Sequence, residues 1–483
     1  RVFAFNKHLF SIEPDPRKGM GLFAVDSVLL LLVLALSGTQ DLLILWLMTC
    51  AISLSGNRRL QALVIANVAY VVISGSVFFE QTTLVTKPHI GAAEFSVLAS
   101  RICGVALLSA LLLGLLRLNK LLRYRYIISV NLLLLLGLLI YSLIAPTNRV
   151  LTDIVRGTTM LYSKYFWAIA FSVISLKDQP KAKNWMVLSS LTFWTPVTRF
   201  HIGAIPRGVG ELIACERQSK LDLVHSRRSG VILVALGSII AAVNSGMPNV
   251  LFQFGYPFQR LPQLTSEFLT TTAPTTMLWI DSIVHGLQYF LRSAAQVSIA
   301  VGLVRFAGFH IPLAQFKIWK ARNFSDLFRR IYFYYSATLA YFFFFPVWSF
   351  LRRLRLARTI ETSASVFCSV LFGGLVIHGV LDVPYLLDHD FDSHLLLTAS
   401  RLPYLLTLAL LSTLSTVFFV RRQPSETTNN RSLANAIHAA ALFIVYLFCL
   451  GLVLPTVNQM SGLTTPSHDW LHLGSYVMKM LGL

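Results

Sequence analysis

Stretches of roughly 18 or more mostly apolar residues, the length a helix needs to cross about 30 Å of hydrocarbon, recur along this chain. They lie at 19-37, 61-79, 95-116, 126-145, 157-176, 229-247, 276-308, 363-387, 401-420 and 433-454, with a shorter run at 41-55. Inside a bilayer each backbone N–H and C=O must be satisfied without water, so segments of this kind are read as helices. Two further runs, "NWMVLSSLTFWTPV" and "IYFYYSATLAYFFFFPVWSF", are apolar but carry basic residues on both flanks; they are predicted to be re-entrant rather than spanning. The expectation is an all-α polytopic membrane protein with roughly eleven transmembrane helices plus re-entrant and interfacial helices, forming one integral membrane domain over 1-483. Composition agrees. The chain is 55% hydrophobic and 13% charged, against roughly 45–50% apolar and about 25% charged in soluble domains, and no polar stretch is long enough to build a soluble core of its own.

Basic residues order the loops. The N-terminal segment, "GNRRL", "RLNKLLRYRY", "LKDQPKAKN" and 199-228 are rich in Lys and Arg, while "GTQD", 80-94 and 248-275 carry few and "LLDHDFDSH" is acidic. Short basic loops stay in the cytoplasm, which predicts a cytoplasmic N-terminus and places 388-394 outside. The basic N-terminal segment leads straight into a full-length span, so no cleavable signal is expected. The net charge of +20 is then read as topology plus contact with anionic membrane lipids. Nucleic acid is not an expected partner, because no basic face with interleaved aromatics occurs outside the membrane-flanking loops. The five cysteines are scattered without a CxxC spacing, which supports neither a metal site nor a disulfide framework. The C-terminal "HDWLHLGSYVMKMLGL" (468-483) is predicted to be an interfacial helix that can dock a membrane or periplasmic partner protein.

Chemistry-bearing residues inside the apolar segments are few. In "FCSVLFGGLVIHGVLDVPYLL" (367-387), His378 interrupts an otherwise apolar helix. Ionisable residues at membrane depth face a cavity or a polar partner. Gly373 and Gly374 lie a turn earlier and Gly379 follows, so another backbone can approach closely. Asp382 at i+4 shares the face and can orient the ring. A satisfied interhelical hydrogen bond is the competing reading of His378.

A second block, "VGLVRFAGFHIPLAQFKIWKARNFSDLFRRIYFYY" (301-335), ends a helix, turns through Gly308 and Pro312, and becomes a basic amphipathic stretch. Asn323 or Ser325 is predicted to cap a new helix.

These pieces together resemble the membrane-bound O-acyltransferase (MBOAT) family, most closely its bacterial alginate O-acetylation branch. The matching residues are Gly308, Phe309, Ile311, Pro312, Phe316, Ala321, Arg322, Asn323, Ser325, Asp326, Arg329, Arg330 and Ser336, then Gly373, Gly374, His378 and Gly379, with a weaker likeness over 191-212. The resemblance implies an MBOAT-like core at about 185-390 and a bacterial inner-membrane location. It implies transfer of a short acyl group from a cytoplasmic thioester such as acyl-CoA to a hydroxyl on a carbohydrate, lipid or protein acceptor. No bound cofactor is implied. His378 falls on the family's histidine and would act as general base. Asn323 and Tyr332 would be its polar neighbours, Asp382 would support it from behind, and Arg322, Arg329 and Arg330 would meet the phosphates of the donor, with Asp326 in the same substrate-binding set.

The sequence departs from the family pattern at three places. Tyr332 stands where the branch has a histidine, Ile377 stands where it has a tryptophan, and "YFLRSAAQVSIAVGLVRFAGF" lacks the expected carboxylate. An inactive MBOAT-like scaffold or accessory subunit of a larger membrane complex is therefore the alternative. A transporter is disfavoured because the spans show no inverted repeat.

Overall fold

The computed structural model describes residues 19–36, 42–74, 92–121, 124–144, 149–178, 183–191, 207–217, 219–253, 275–388, 402–420 and 437–448. These are almost entirely helical; among them the sole β-type pairing is an isolated antiparallel bridge between Glu216 and Phe309.

In chain order the first helices are α1 (Gly19–Leu36), α2 (Leu42–Leu54), α3 (Arg59–Ser74), α4 (Ala92–Leu121) and α5 (Tyr124–Ile144). They are leucine- and valine-rich on all faces, and side chains such as Leu32, Leu47, Ile65 and Leu133 remain more than half exposed. A helix apolar all round belongs in a core or in lipid. Helix α6 (Arg149–Asp178) differs, because it is buried on every face from Thr158 to Ile174. It packs against α4 and α5 and against the short α7 (Gly208–Cys215), so it forms a central post.

Helices α8 (Lys220–Gln253) and α9 (Thr275–Phe306) make the most extensive helix pair. Small residues set their separation. A Cβ built on Gly302 would stand 2.7 Å from the Gly230 carbonyl oxygen, and one on Gly237 would stand 2.7 Å from the Ala295 carbonyl. Close backbone approach through small residues is how helices associate where lipid removes the hydrophobic drive.

The remaining elements carry the residues singled out from the sequence. They are α10 (Phe324–Ile331), α11 (Phe333–Leu339), a π turn (Ala340–Phe344), α12 (Phe345–Arg353), α13 (Arg358–Cys368), a second π turn (Ser369–Gly373), α14 (Gly374–Leu381), α15 (Val383–Asp388), α16 (Leu402–Val420) and α17 (Ile437–Phe448). The run 331-350, expected to be re-entrant, is thus a nearly continuous helix through a π turn.

Four described helices are long and apolar enough to cross a membrane: Tyr126–Ile144, Leu221–Leu251, Ile283–Phe306 and Arg358–Leu381. All four coincide with spans expected from the sequence. Shorter apolar helices occupy Gly21–Ala35, Leu43–Leu54, Tyr404–Val417 and Ile437–Phe448. The interfacial helix expected at 468-483 and the acidic loop after Asp388 lie outside the described residues.

Candidate functional site

The 301-335 block folds as a locked corner. Gly308 adopts φ +104, a backbone region that L side chains rarely enter, and a Cβ there would also meet the Arg59 side chain at 2.9 Å. The turn is fastened to the chain after α7 by Arg217 N–H donating to the Gly308 carbonyl (3.0 Å) and His310 N–H donating to the Cys215 carbonyl (2.8 Å). Arg305 donates through Nε and Nη2 to the Ile311 carbonyl, at 2.9 and 2.7 Å. His310 sits beside Ser226 and stacks on His225 with ring centroids 6.0 Å apart. Burial, then the neighbouring Arg305, Arg217 and His225, push its pKa down to about 3, so this imidazole is neutral.

Asn323 is the N-cap of α10, as the sequence predicts, its Oδ1 accepting from the Asp326 N–H at 2.8 Å. Ser325 ties the same turn to α16 by donating to the Ser412 carbonyl at 3.0 Å. Asp326 receives Arg329 at 2.8 Å and Arg330 at 2.9 Å. Burial alone would raise the Asp326 carboxyl. The hydrogen bonds from Arg330, Arg329 and the Arg322 amide outweigh it and hold the group below the usual carboxylate range. Arg330 also lies over the Phe316 ring and donates to the Lys317 carbonyl. The Arg322 side chain is exposed.

His378 lies on α14 and is half-buried. Its ring centroid is 6.0 Å from that of Tyr335. Tyr335 in turn contacts Tyr332 (6.3 Å) and Phe328 (5.9 Å). The Tyr332 hydroxyl meets that of Tyr446 on α17 at 2.5 Å. Glycine makes the approach possible: a Cβ on Gly374 would stand 3.3 Å from the Tyr335 hydroxyl and 2.7 Å from Leu405, and one on Gly373 would stand 2.8 Å from the Phe343 ring. Gly373 belongs to the second π turn and Phe343 to the first. The two irregular turns thus face each other one helical turn from His378, and π turns are frequent where a helix is re-aimed for a site.

The structure therefore brings His378 and Tyr332 into one aromatic cluster, with Tyr335 between them. It places Asn323, Asp326, Arg329 and Arg330 together on α10, where they hold that helix. Asp382 is the C-cap of α14; it is buried, and its amide donates to the His378 carbonyl at 2.9 Å.

Several residues were not visible from the sequence. Tyr335 carried a signal in its i,i+3 spacing from Tyr332. Ser293 Oγ, Gln296 Oε1 and Ser336 Oγ are buried polar atoms with no hydrogen-bond partner among the described residues. Tyr289, Ser293 and Gln296 repeat at i, i+4 and i+7 on α9, a single face of that helix. Tyr289 acts electrostatically on both Tyr332 and Tyr446. Buried polar atoms without partners are rare and call for an explanation. Lys164 on the central post α6 is buried as well, and α6 packs against both α14 and α15.

Comparison with known proteins supplies no further guide: no protein-family model and no curated protein sequence matches the chain. The class that the described helices define is a multi-pass helical membrane protein.

Proposed function

We propose that the protein is a membrane O-acyltransferase in which His378 takes the proton from an acceptor hydroxyl as that oxygen attacks the carbonyl carbon of an acyl thioester. The observation that carries the reading is the half-buried His378 set against Tyr335, which in turn contacts Tyr332. In the step, the acceptor oxygen bonds to the acyl carbon, the carbon–sulfur bond breaks, and the proton held by His378 passes to the leaving thiolate. Tyr335, the nearer tyrosine, is the neutral donor toward the developing oxyanion, since a phenol ordinarily titrates near 10. The orphan oxygens of Ser293 and Gln296 match a polyhydroxyl acceptor, whose OH groups would satisfy them. The polytopic fold of roughly eleven spans, the cytoplasmic N-terminus and the bacterial inner membrane belong to this same reading.

A second reading, a scaffold that keeps the fold without the chemistry, is favoured by one observation. Arg329 and Arg330, the residues expected to meet donor phosphates, are both engaged by Asp326, which leaves the exposed Arg322 for that contact.

The test is thioester turnover by the purified protein with acetyl and longer acyl-CoA donors, comparing wild type with His378→Ala and Tyr335→Phe. Thiol release that falls about 10²-fold or more in folded His378→Ala supports the enzyme. Wild-type protein that releases no thiol with any donor, while both variants keep the same co-purifying partners, supports the scaffold.

A further inference from the structure

A hairpin joins α12 to α13. Its tip is a surface of unusual composition: "RRLRLAR" (352–358) is exposed at every position. The turn is held by backbone bonds from Leu354 N–H to the Leu351 carbonyl (3.0 Å) and from Arg355 N–H to the Arg352 carbonyl (3.1 Å). Arg355 adopts a left-handed φ of 54, which turns the chain back into α13. Helices α12 and α13 pack against each other, so the tip is presented by a paired scaffold rather than a loose loop.

Two features define what this tip can bind. Arg352, Arg353, Arg355 and Arg358 form no ion pair among the described residues, and the nearest carboxylate in sequence, Glu361, is buried. Apolar side chains alternate with these cations and reach outward: Phe350 is 60% exposed, Leu354 54% and Ile360 55%. Trp348 lies one turn back with the Arg352 guanidinium 5.1 Å over its ring. Cations interleaved with Leu, Phe and Trp suit the boundary between headgroups and acyl chains, where arginine meets phosphate and the apolar groups enter hydrocarbon. The depth agrees, since one of the four membrane-length helices begins at Arg358.

We infer that the α12–α13 hairpin tip is a binding site for anionic phospholipid headgroups, with Arg352, Arg353, Arg355 and Arg358 on the phosphates and Phe350, Leu354 and Ile360 in the acyl boundary. A soluble anion would account for the arginines but not for the apolar side chains between them. The inference does not depend on acyl transfer, and its test reads lipid rather than turnover.

The full chain is reconstituted into nanodiscs of equimolar phosphatidylcholine and phosphatidylglycerol, extracted gently, and its retained lipids are counted by native mass spectrometry. Wild type is expected to retain phosphatidylglycerol over phosphatidylcholine. R352Q/R353Q/R355Q/R358Q is expected to lose that preference by roughly tenfold or more, given the strong attraction of each basic residue to an anionic surface. The corresponding all-lysine variant keeps most of it. If the quadruple glutamine variant does not insert, R353Q/R355Q carries the same comparison with a smaller loss. Equal retention of the two lipids by wild type, or an unchanged preference in the glutamine variants, overturns the proposal and leaves the arginines as a topology signal alone.

Discussion

The Tyr332 hydroxyl meets the Tyr446 hydroxyl at 2.5 Å across a separation of 114 positions in the chain. This contact ties the start of α11 to α17 and fixes the aromatic cluster whose other end is His378. Each hydroxyl is the other's partner, so deleting one strands the other in a buried place. Tyr332→Phe and Tyr446→Phe are each expected to cost about 1–2 kcal/mol, and the double variant less than their sum. Thermal unfolding in detergent, arranged as a double-mutant cycle, checks this.

Asp326 neutralises Arg329 and Arg330 and accepts from the Arg322 amide. The Asp326 and Arg330 side chains are only 12% and 14% exposed, so removing the carboxylate leaves a poorly solvated cation. Asp326→Asn should destabilise by roughly 2–4 kcal/mol at neutral pH. Because the folded carboxyl titrates below its unfolded value of about 3.9, the stabilisation is fully present above that pH and disappears as pH falls through the folded value. The acid limb of wild type below about pH 4 should therefore shrink in the variant.

His310 gives an acid dependence at higher pH. Its folded pKa of about 3 lies under the unfolded value of about 6.5, so the unfolded chain binds the proton first. Stability contributed by keeping this ring neutral is complete above pH 6.5 and declines as pH falls from about 6.5 toward 3. His310→Gln, which cannot protonate, should flatten the stability curve between about pH 6 and 4. An unchanged slope would contradict the burial of this ring.

The α8–α9 crossing tolerates no side chain at its closest point. A Cβ on Gly302 meets Val234 Cγ2 at 2.6 Å and the Gly230 carbonyl at 2.7 Å. Rotation of Val234 relieves the first contact but not the second, which is backbone. Gly302→Ala is expected to lower stability by about 2–3 kcal/mol, whereas Gly246→Ala, where nothing lies within 4 Å, should be close to neutral.

Gly374 separates packing from chemistry. An added methyl meets the movable end of Leu405 at 2.7 Å and the Tyr335 hydroxyl at 3.3 Å. Gly374→Ala should cost about 1 kcal/mol of stability while displacing Tyr335. In an active enzyme it should lower thioester turnover tenfold or more, since small misplacements near reacting atoms are expensive. Turnover assays beside unfolding curves separate the two effects.

Much of the local structure was legible in the residues. The Asn323 cap follows from an Asn immediately before an amphipathic run, and the Asp326 ion pairs were available from i+3 and i+4 spacing on one helix. Those pairs engage Arg329 and Arg330, the arginines expected to meet a donor phosphate. Nothing in the sequence marks the Ser293 and Gln296 oxygens, which have no hydrogen-bond partner among the described residues, because Ser and Gln within an apolar helix look alike whether satisfied or orphaned.

The sequence by itself determined that the chain is built of helices and that several match the thickness of a bilayer. Hydrocarbon offers no partner to the backbone, so apolar length alone dictates that outcome. It also set the start of α10, where the cap and its partner are neighbours in the chain. The tertiary structure decided that α6 is the buried post, that Tyr446 meets Tyr332, and that Tyr335 stands between Tyr332 and His378. Each of these depends on which helix faces which, and helix packing is set by the shapes of surfaces assembled from distant segments. Apolar periodicity records that a face is covered but not by what.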